Sequence, residues 1–231
     1  MDDEKARWRE VDLTLVMKLA RRRTARGRDV ESEVLGVKQL LAGFIVKPPL
    51  IPLLGAHGLS RLREALQDKL VVLDLKVDDD PEDLEGLADL AGYANAVTIS
   101  WRAIASPRRD QLVKVFERSG VRPVIAVTNS DVTLMGLDEL RGTLIPAVKG
   151  LTSPMILLPG SAKGVVKDLV STIPGALVLI DGVRPGEGLC AGARYEVIGQ
   201  NVLDAEDPVG HIRMTIYAQK RAAEECGVRI S

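Results

Sequence analysis

Short apolar segments alternate with amphipathic segments along most of this chain. The apolar segments have the length of buried β-strands, and the amphipathic segments repeat apolar residues at helical spacing, as at Val34, Val37 and Leu41. The pattern predicts strands at residues 11–17, 44–46, 70–75, 96–100, 123–127, 155–158, 176–180 and 195–198. It predicts helices at residues 30–41, 59–66, 81–92, 108–119, 137–148, 162–172 and 208–225.

The order of these elements predicts an α/β fold with a parallel sheet, because strands that alternate with helices are joined by right-handed crossovers. Eight such units in 231 residues favour a closed (β/α)8 TIM barrel over an open sheet, as a single domain over residues 1–231. No Gly-x-Gly-x-x-Gly segment follows the first strand, and no Gly-Lys-Ser/Thr loop occurs. Both absences argue against a nucleotide-binding fold of the dinucleotide or P-loop type.

Charged residues gather where the third predicted strand ends. Asp74 and Lys76 follow the apolar run Leu70–Leu73 and point to the same side of a strand, because they are two positions apart. Lys47 ends the neighbouring strand, and Asp79 follows Lys76 by three residues. Catalytic groups of a barrel lie at these strand ends, so the four charges predict a site that binds charge or moves a proton. The alternatives are a surface ion pair and, for Lys47, a side chain that extends into solvent.

Small residues follow the last three predicted strands, in the segments 159–161, 181–184 and 199–201. Backbone N–H groups exposed beside a helix start bind phosphate in many barrels. These segments therefore predict either a phosphate site or ordinary turns.

The overall charge argues against nucleic acid or a membrane as a partner. The chain has 31 Lys and Arg against 32 Asp and Glu, for a net charge of −1. No apolar run approaches the ~20 residues of a membrane span. A local cluster, Arg21–Arg23 with Arg26 and Arg28, is explained by a solvated loop or by contact with a polyphosphate or nucleic acid.

The cysteine and histidine content predicts no metal site. The chain has two of each, at Cys190, Cys226, His57 and His211, without metal-ligand spacing. Together with an acidic N-terminus that has no signal-peptide pattern, this predicts reduced thiols in a cytoplasmic protein. No cofactor is predicted.

The strand-end residues resemble the orotidine 5′-monophosphate (OMP) decarboxylase family. Asp74-x-Lys76-x-x-Asp79, followed by Asp80-Pro81, is similar to the family's Asp-x-Lys-x-x-Asp-Ile-Pro signature. Phe44–Lys47 is similar to the family's second strand, which ends in a lysine. Further similar segments, closest to archaeal members except the bacterial-like Gly182–Pro185, are Ala94–Ile99, Cys190–Gly199 and Asp204–Pro208.

The resemblance implies a cofactor-free lyase that decarboxylates OMP to UMP in pyrimidine biosynthesis. Lys47, Asp74 and Lys76 would come from one subunit, and Asp79 from the neighbouring subunit of a homodimer that shares its active sites across the interface. Asp74 would repel the substrate carboxylate, while Lys76 would stabilise the developing carbanion and protonate it.

The groups that would hold this nucleotide monophosphate differ from the family's. At the end of the first strand, where the family has an aspartate for the ribose hydroxyls, this chain has Lys18. Near a ribose, Lys18 would repel the other lysines or contact the phosphate or Asp74. Gln200 follows Gly199 where the family has a phosphate-binding arginine, and Arg184 is the candidate to replace that charge.

Ser130 falls where the family has its pyrimidine-binding serine. The predicted substrate-binding residues are Lys18, Ser130, Arg184, Gly199 and Gln200.

Two other functions remain open at the level of sequence. One is a relative that acts on another phosphorylated sugar or carboxylate, as hexulose-phosphate synthase does, although that enzyme has a glutamate in the place of Lys47. The other is a non-catalytic barrel that keeps its charges for binding or for dimer stability.

Overall fold

Eight parallel strands close into a barrel in the computed structural model, which describes residues 13–78, 89–90 and 92–228. Each strand pairs with the next along the chain, and β8 pairs with β1. The predicted (β/α)8 barrel is therefore confirmed. The strands are β1 Leu15–Leu19, β2 Gly43–Val46, β3 Leu70–Val77, β4 Ala96–Ser100, β5 Arg122–Ala126, β6 Met155–Pro159, β7 Leu177–Asp181 and β8 Tyr195–Ile198.

Helices surround the strands. Within the described residues the α-helices are α1 Val30–Val37, α2 Ile51–Ala65, α3 Trp101–Ala105, α4 Arg109–Ser119, α5 Asn129–Val148, α6 Lys163–Thr172, α7 Glu187–Cys190 and α8 Pro208–Glu225. Short 3-10 helices cover Lys38–Leu40, Gly160–Ala162 and Gln200–Asp204. Most of the helix predicted at residues 81–92 lies outside the described residues.

Each strand is apolar on both faces, because one face packs inside the barrel and the other packs against the helices. One layer fills the barrel and takes one residue from every strand: Val16, Ile45, Val72, Ala96, Val124, Met155, Leu179 and Val197. The alternate residues, such as Leu15, Met17 and Leu19 of β1, face the helices. Burial on both sides explains why the strands appear in the sequence as nearly continuous apolar runs.

Helix α5 has an additional segment that begins at Asn129, before the helix predicted at residues 137–148. A capping box starts the helix, with the Thr128 hydroxyl and the Asp131 carboxylate each bonding the other's backbone N–H. Gly136 then adopts a non-helical conformation (φ +76°, ψ 166°) and separates this first segment from a second one, which covers the predicted residues 137–148. The short helices α3 and α7 were not predicted.

Cys190 and Cys226 form a disulfide, with their Cα atoms 5.8 Å apart. The prediction of reduced thiols is therefore wrong. The two residues lie 36 positions apart, but α8 runs back along the barrel and places Cys226 beside the end of α7. The bond ties the connection between β7 and β8 to the end of the last helix.

Candidate active site at the barrel mouth

A ring of residues that are polar or small, apart from Leu157, lies directly above the apolar layer inside the barrel. Each member follows its strand's interior residue by two positions, so its side chain points the same way. We call this end of the barrel, where the carboxyl ends of the strands meet, the mouth. The ring residues are Lys18, Lys47, Asp74, Thr98, Ala126, Leu157, Asp181 and Gly199.

Asp74 is fully buried in this ring and is satisfied on both carboxylate oxygens. The Lys47 ammonium contacts Oδ2, and the Thr98 hydroxyl donates to Oδ1 at 2.8 Å. A buried carboxylate is tolerated only with such compensation. The structure thus brings together Lys47 and Asp74 as the sequence predicted, and adds Thr98, which the sequence analysis did not assign to the site.

Lys76 adopts a left-handed backbone conformation, with φ +52°. Among the described residues other than glycine, only Ser153 shares a positive φ. The backbone N–H of Lys76 donates to the Thr98 hydroxyl oxygen at 2.8 Å, so Thr98 links Lys76 to Asp74. The pairing of β3 with β4 shifts register between Leu73 and Val77, around this residue. Strain of this kind is uncommon outside glycine and is concentrated at functional sites.

Lys18 pairs with Asp181 on the opposite side of β8. The Lys18 ammonium lies 2.7 Å from each oxygen of the Asp181 carboxylate, and about a third of each side chain is exposed. Of the contacts expected for Lys18, the one with Asp74 is not formed. Asp181 follows the interior residue Leu179 by two positions, and this spacing is the sequence signal that could have placed it in the site.

Gln200 is buried, and most of its amide is bonded to the loop after β1. Its Oε1 accepts the backbone N–H groups of Ala20 and Arg21, each at 2.8 Å, and its Nε2 donates to the Arg21 carbonyl. One N–H of the amide remains for another partner. In this arrangement Gln200 holds the arginine-rich loop, residues 20–29, against the end of β8.

Asp204 strengthens the same attachment. Its carboxylate accepts from the Ala25 N–H at 2.6 Å and forms an ion pair with Arg21 at 2.8 Å. The Ala25 backbone N–H, followed by the Arg21 side chain, lowers the pKa of the Asp204 carboxyl below its ordinary value. The Arg28 guanidinium adds bonds to the Leu203 and Ala205 carbonyls.

The other predicted site residues lie at the rim of the mouth or beyond the described residues. Ser130 is exposed in the first turn of α5, Arg184 is exposed in the loop after β7, and Gly199 directly follows β8. Asp79 lies outside the described residues.

In the described part of the chain, no group of three or more His, Cys, Asp or Glu side chains is arranged to hold a metal ion. No helix among the same residues is long and apolar enough to cross a membrane.

Comparisons with known proteins bear on the class of barrel that this chain resembles. No family model matches the chain. The bifunctional enzyme Fae/Hps of Archaeoglobus fulgidus is 29% identical over 178 residues, which are 74% of this chain but only 44% of that protein. The orotidine 5′-phosphate decarboxylase of Aeropyrum pernix is 26% identical over 194 residues, or 80% of each chain. The crystal structure of OMP decarboxylase from Sulfolobus solfataricus gives a TM-score of 0.73 at 16% identity, covering 92% of this chain and 100% of that one.

Fold and sequence together define the class: this is a barrel of the OMP decarboxylase-like type. Within the class, the chain is a distant homologue of archaeal OMP decarboxylase and is also related to the Fae/Hps protein.

Proposed function

We propose that this chain catalyses the cofactor-independent decarboxylation of OMP to UMP. The observation that carries the proposal is Asp74, a fully buried acid held between Lys47 and the Thr98 hydroxyl, with Lys76 two residues further along the same strand. The similarity to a decarboxylase of Aeropyrum pernix over four fifths of both chains supports the same substrate.

In this mechanism the substrate carboxylate is bound near Asp74. The negative charge of Asp74 acts through space and needs no exposed surface, because the apolar layer beneath the ring keeps the local dielectric low. The bond between the ring carbon and the carboxylate carbon breaks, and CO2 leaves as a neutral molecule. The electron pair stays on the ring carbon, where the Lys76 ammonium stabilises it and donates a proton. Solvent then reprotonates Lys76.

The strain at Lys76 supports this role. A left-handed lysine is costly unless the surrounding structure holds it, and the bond from its N–H to Thr98 does so. Catalytic groups that are fixed before the substrate arrives stabilise a transition state without further reorganisation.

A direct assay tests the proposal. Purified protein mixed with OMP is expected to show the absorbance loss of decarboxylation, and Lys76→Ala is expected to lower kcat by about 10²–10⁴-fold. Lys114→Ala, an exposed lysine on α4, is the matched control and should retain the full rate. Absence of turnover at high enzyme concentration contradicts the proposal. A Lys76→Ala variant with an unchanged rate contradicts the assignment of the proton donor.

We also propose that Asp79 completes the site from the second subunit of a homodimer, as the signature around Asp74 and Lys76 implies. Mixing Lys76→Ala subunits with Asp79→Ala subunits tests this. Only a mixed dimer then contains one intact site, so restored activity is expected. Continued inactivity of the mixture argues that each site is built from one chain.

A second candidate function is supported by the Fae/Hps similarity and by the changed residues Lys18 and Gln200. In that case the same charges would act on another phosphorylated sugar or carboxylate. Binding of UMP separates the candidates, because a nucleotide site should bind UMP and a sugar-phosphate site should prefer ribose 5-phosphate.

A further inference from the structure

We infer that Lys18 and Asp181 form a subsite for two neighbouring hydroxyl groups of the substrate. The inference deepens the proposed function and rests on it for the entry of a ligand into the mouth. Asp181 would accept a hydrogen bond from one hydroxyl group, and Lys18, paired with Asp181, would donate a hydrogen bond to the other.

The pair lies within the ring and is open to a ligand. The ring contains two acids, Asp74 and Asp181. Asp74 has no exposed surface, whereas a third of the Asp181 side chain is exposed. A hydrogen bond requires an accessible atom, so Asp181 is the acid of the ring that a ligand can reach.

The closure of the barrel brings the two residues of the pair together. Lys18 belongs to β1 and Asp181 to β7, and β8 lies between these strands. The ring residue of β8 is Gly199, and the Asn201 carboxamide lies where a Gly199 side chain would begin. Lys18 reaches Asp181 across the end of β8, so the pair lies at the mouth of the barrel.

The hydrogen-bonding capacity of the pair fits a diol. An ammonium has three N–H groups, and Lys18 directs two of them to Asp181. One N–H remains as a donor, and each carboxylate oxygen retains a free lone pair. One hydroxyl can therefore donate to Asp181 while its neighbour accepts from Lys18.

The charge of the pair disfavours a phosphate at the same place. A phosphate that approached Lys18 would also meet the carboxylate of Asp181, and like charges at contact distance repel strongly. Neutral hydroxyl groups bond both partners without separating them. The expected ligand part is thus a sugar with adjacent hydroxyls, such as a ribose.

Binding of matched ligands tests the subsite without requiring turnover. The dissociation constants of UMP and 2′-deoxy-UMP are measured by calorimetry for the wild type, for Asp181→Ala and for Asp181→Asn. The wild type is expected to bind UMP about tenfold more tightly than 2′-deoxy-UMP, because 2′-deoxy-UMP lacks one hydroxyl that bonds the charged pair; tenfold corresponds to about 1.4 kcal/mol. In Asp181→Ala this ratio is expected to fall close to one. Asp181→Asn keeps the side-chain shape and should reduce the ratio with little effect on folding.

Asp168→Ala is the matched control. Asp168 forms a 2.7 Å ion pair with Arg141 of similar exposure, but on α5 and α6 outside the barrel. The Asp168→Ala variant should leave the ratio of the UMP and 2′-deoxy-UMP dissociation constants unchanged. An unchanged ratio in both Asp181 variants overturns the inference while leaving the proposed function intact. The inference is also overturned if the Asp181 variants bind both ligands more tightly by the same factor, because Asp181 would then only block an anion site.

If the proposed function is wrong, the binding measurements give a different result. If wild-type protein binds neither nucleotide, the same comparison is made with ribose 5-phosphate and 2-deoxyribose 5-phosphate. A preference for the ribose compound that Asp181→Ala removes supports the subsite without the decarboxylase. Absence of binding by both sugar phosphates overturns the inference as well.

Discussion

The two sides of the barrel mouth hold their charges in different ways. On the β2–β4 side, formed by Lys47, Asp74 and Thr98, the acid is completely buried and both of its oxygens are bonded. On the β7–β1 side, formed by Lys18, Asp181 and Gln200, the acid and its lysine are each about a third exposed. The first side keeps the residues of the OMP decarboxylase signature, whereas the second carries the residues that differ from it.

This difference shows why the two sides can diverge unequally. Removal of one partner on the β2–β4 side leaves a buried charge unpaired, so the residues there can change only together. An exposed ion pair contributes little to stability, so charges on the β7–β1 side can be exchanged at small cost. Residues that hold the substrate can therefore change while the charges proposed for the chemistry stay in place.

The same substitution on each side tests this comparison with the largest expected effect. Lys47→Met should lower the free energy of unfolding by about 3–5 kcal/mol, because it leaves the buried Asp74 carboxylate without its cation. Lys18→Met should lower it by less than about 1 kcal/mol. Urea unfolding of the two variants and the wild type measures both changes.

If Lys47→Met and Lys18→Met lower the free energy of unfolding equally, burial does not distinguish the two sides of the mouth. The Lys→Met change is matched in size and keeps the aliphatic stem, so packing differences contribute little to the comparison. The m-value of each transition should stay constant if the folded and unfolded states keep their compactness.

Thr98→Val gives a smaller loss on the β2–β4 side. The valine matches the shape of threonine but cannot donate to Asp74 or accept from the Lys76 N–H. Unsatisfied buried groups of this kind cost about 1–3 kcal/mol. Thr133→Val, at an exposed position of α5, should stay within about 0.5 kcal/mol of the wild type in the same urea titration. A neutral Thr98→Val would mean that Thr98 is not what fixes Lys76.

The contrast between the sides also marks what the sequence could predict. The strands β4 and β8 and the helix α8 were predicted to the residue, because the strands are short, mostly apolar runs and Pro208 marks a helix start. Lys47 and Asp74 could be paired because they end neighbouring strands of a predicted barrel. These features depend on local pattern and on strand order.

The remaining features depend on contacts that no local pattern contains. Lys18 and Asp181 are 163 positions apart, and their pairing depends on the closure of the barrel, which brings β1 and β7 to the two sides of β8. The left-handed conformation of Lys76 arises from a register shift between two strands. The disulfide requires the path of α8, which sequence spacing alone does not give.

On the β7–β1 side, Gln200→Ala is expected to loosen the loop of residues 20–29 with a small loss of overall stability. The change removes three hydrogen bonds that hold this loop to the end of β8. The loop contains several arginines, so limited digestion with trypsin reports its opening. Cleavage there should accelerate several-fold, while Gln111→Ala, an exposed glutamine of α4, should match the wild type. Unchanged cleavage would mean that Gln200 is free to serve a ligand instead.

The smallest expected effect is the pH dependence of the same loop. The folded-state pKa of Asp204 lies below its ordinary value of about 4, so its contribution to stability is complete above that pH. The contribution is lost as the pH falls through the lowered folded-state value. The amide signal of Ala25, whose N–H donates to Asp204, should therefore shift only below about pH 4 in an NMR titration. Asp204→Asn should remove that transition, because an amide does not titrate there. A transition that persists in Asp204→Asn would assign the titration to another carboxyl group.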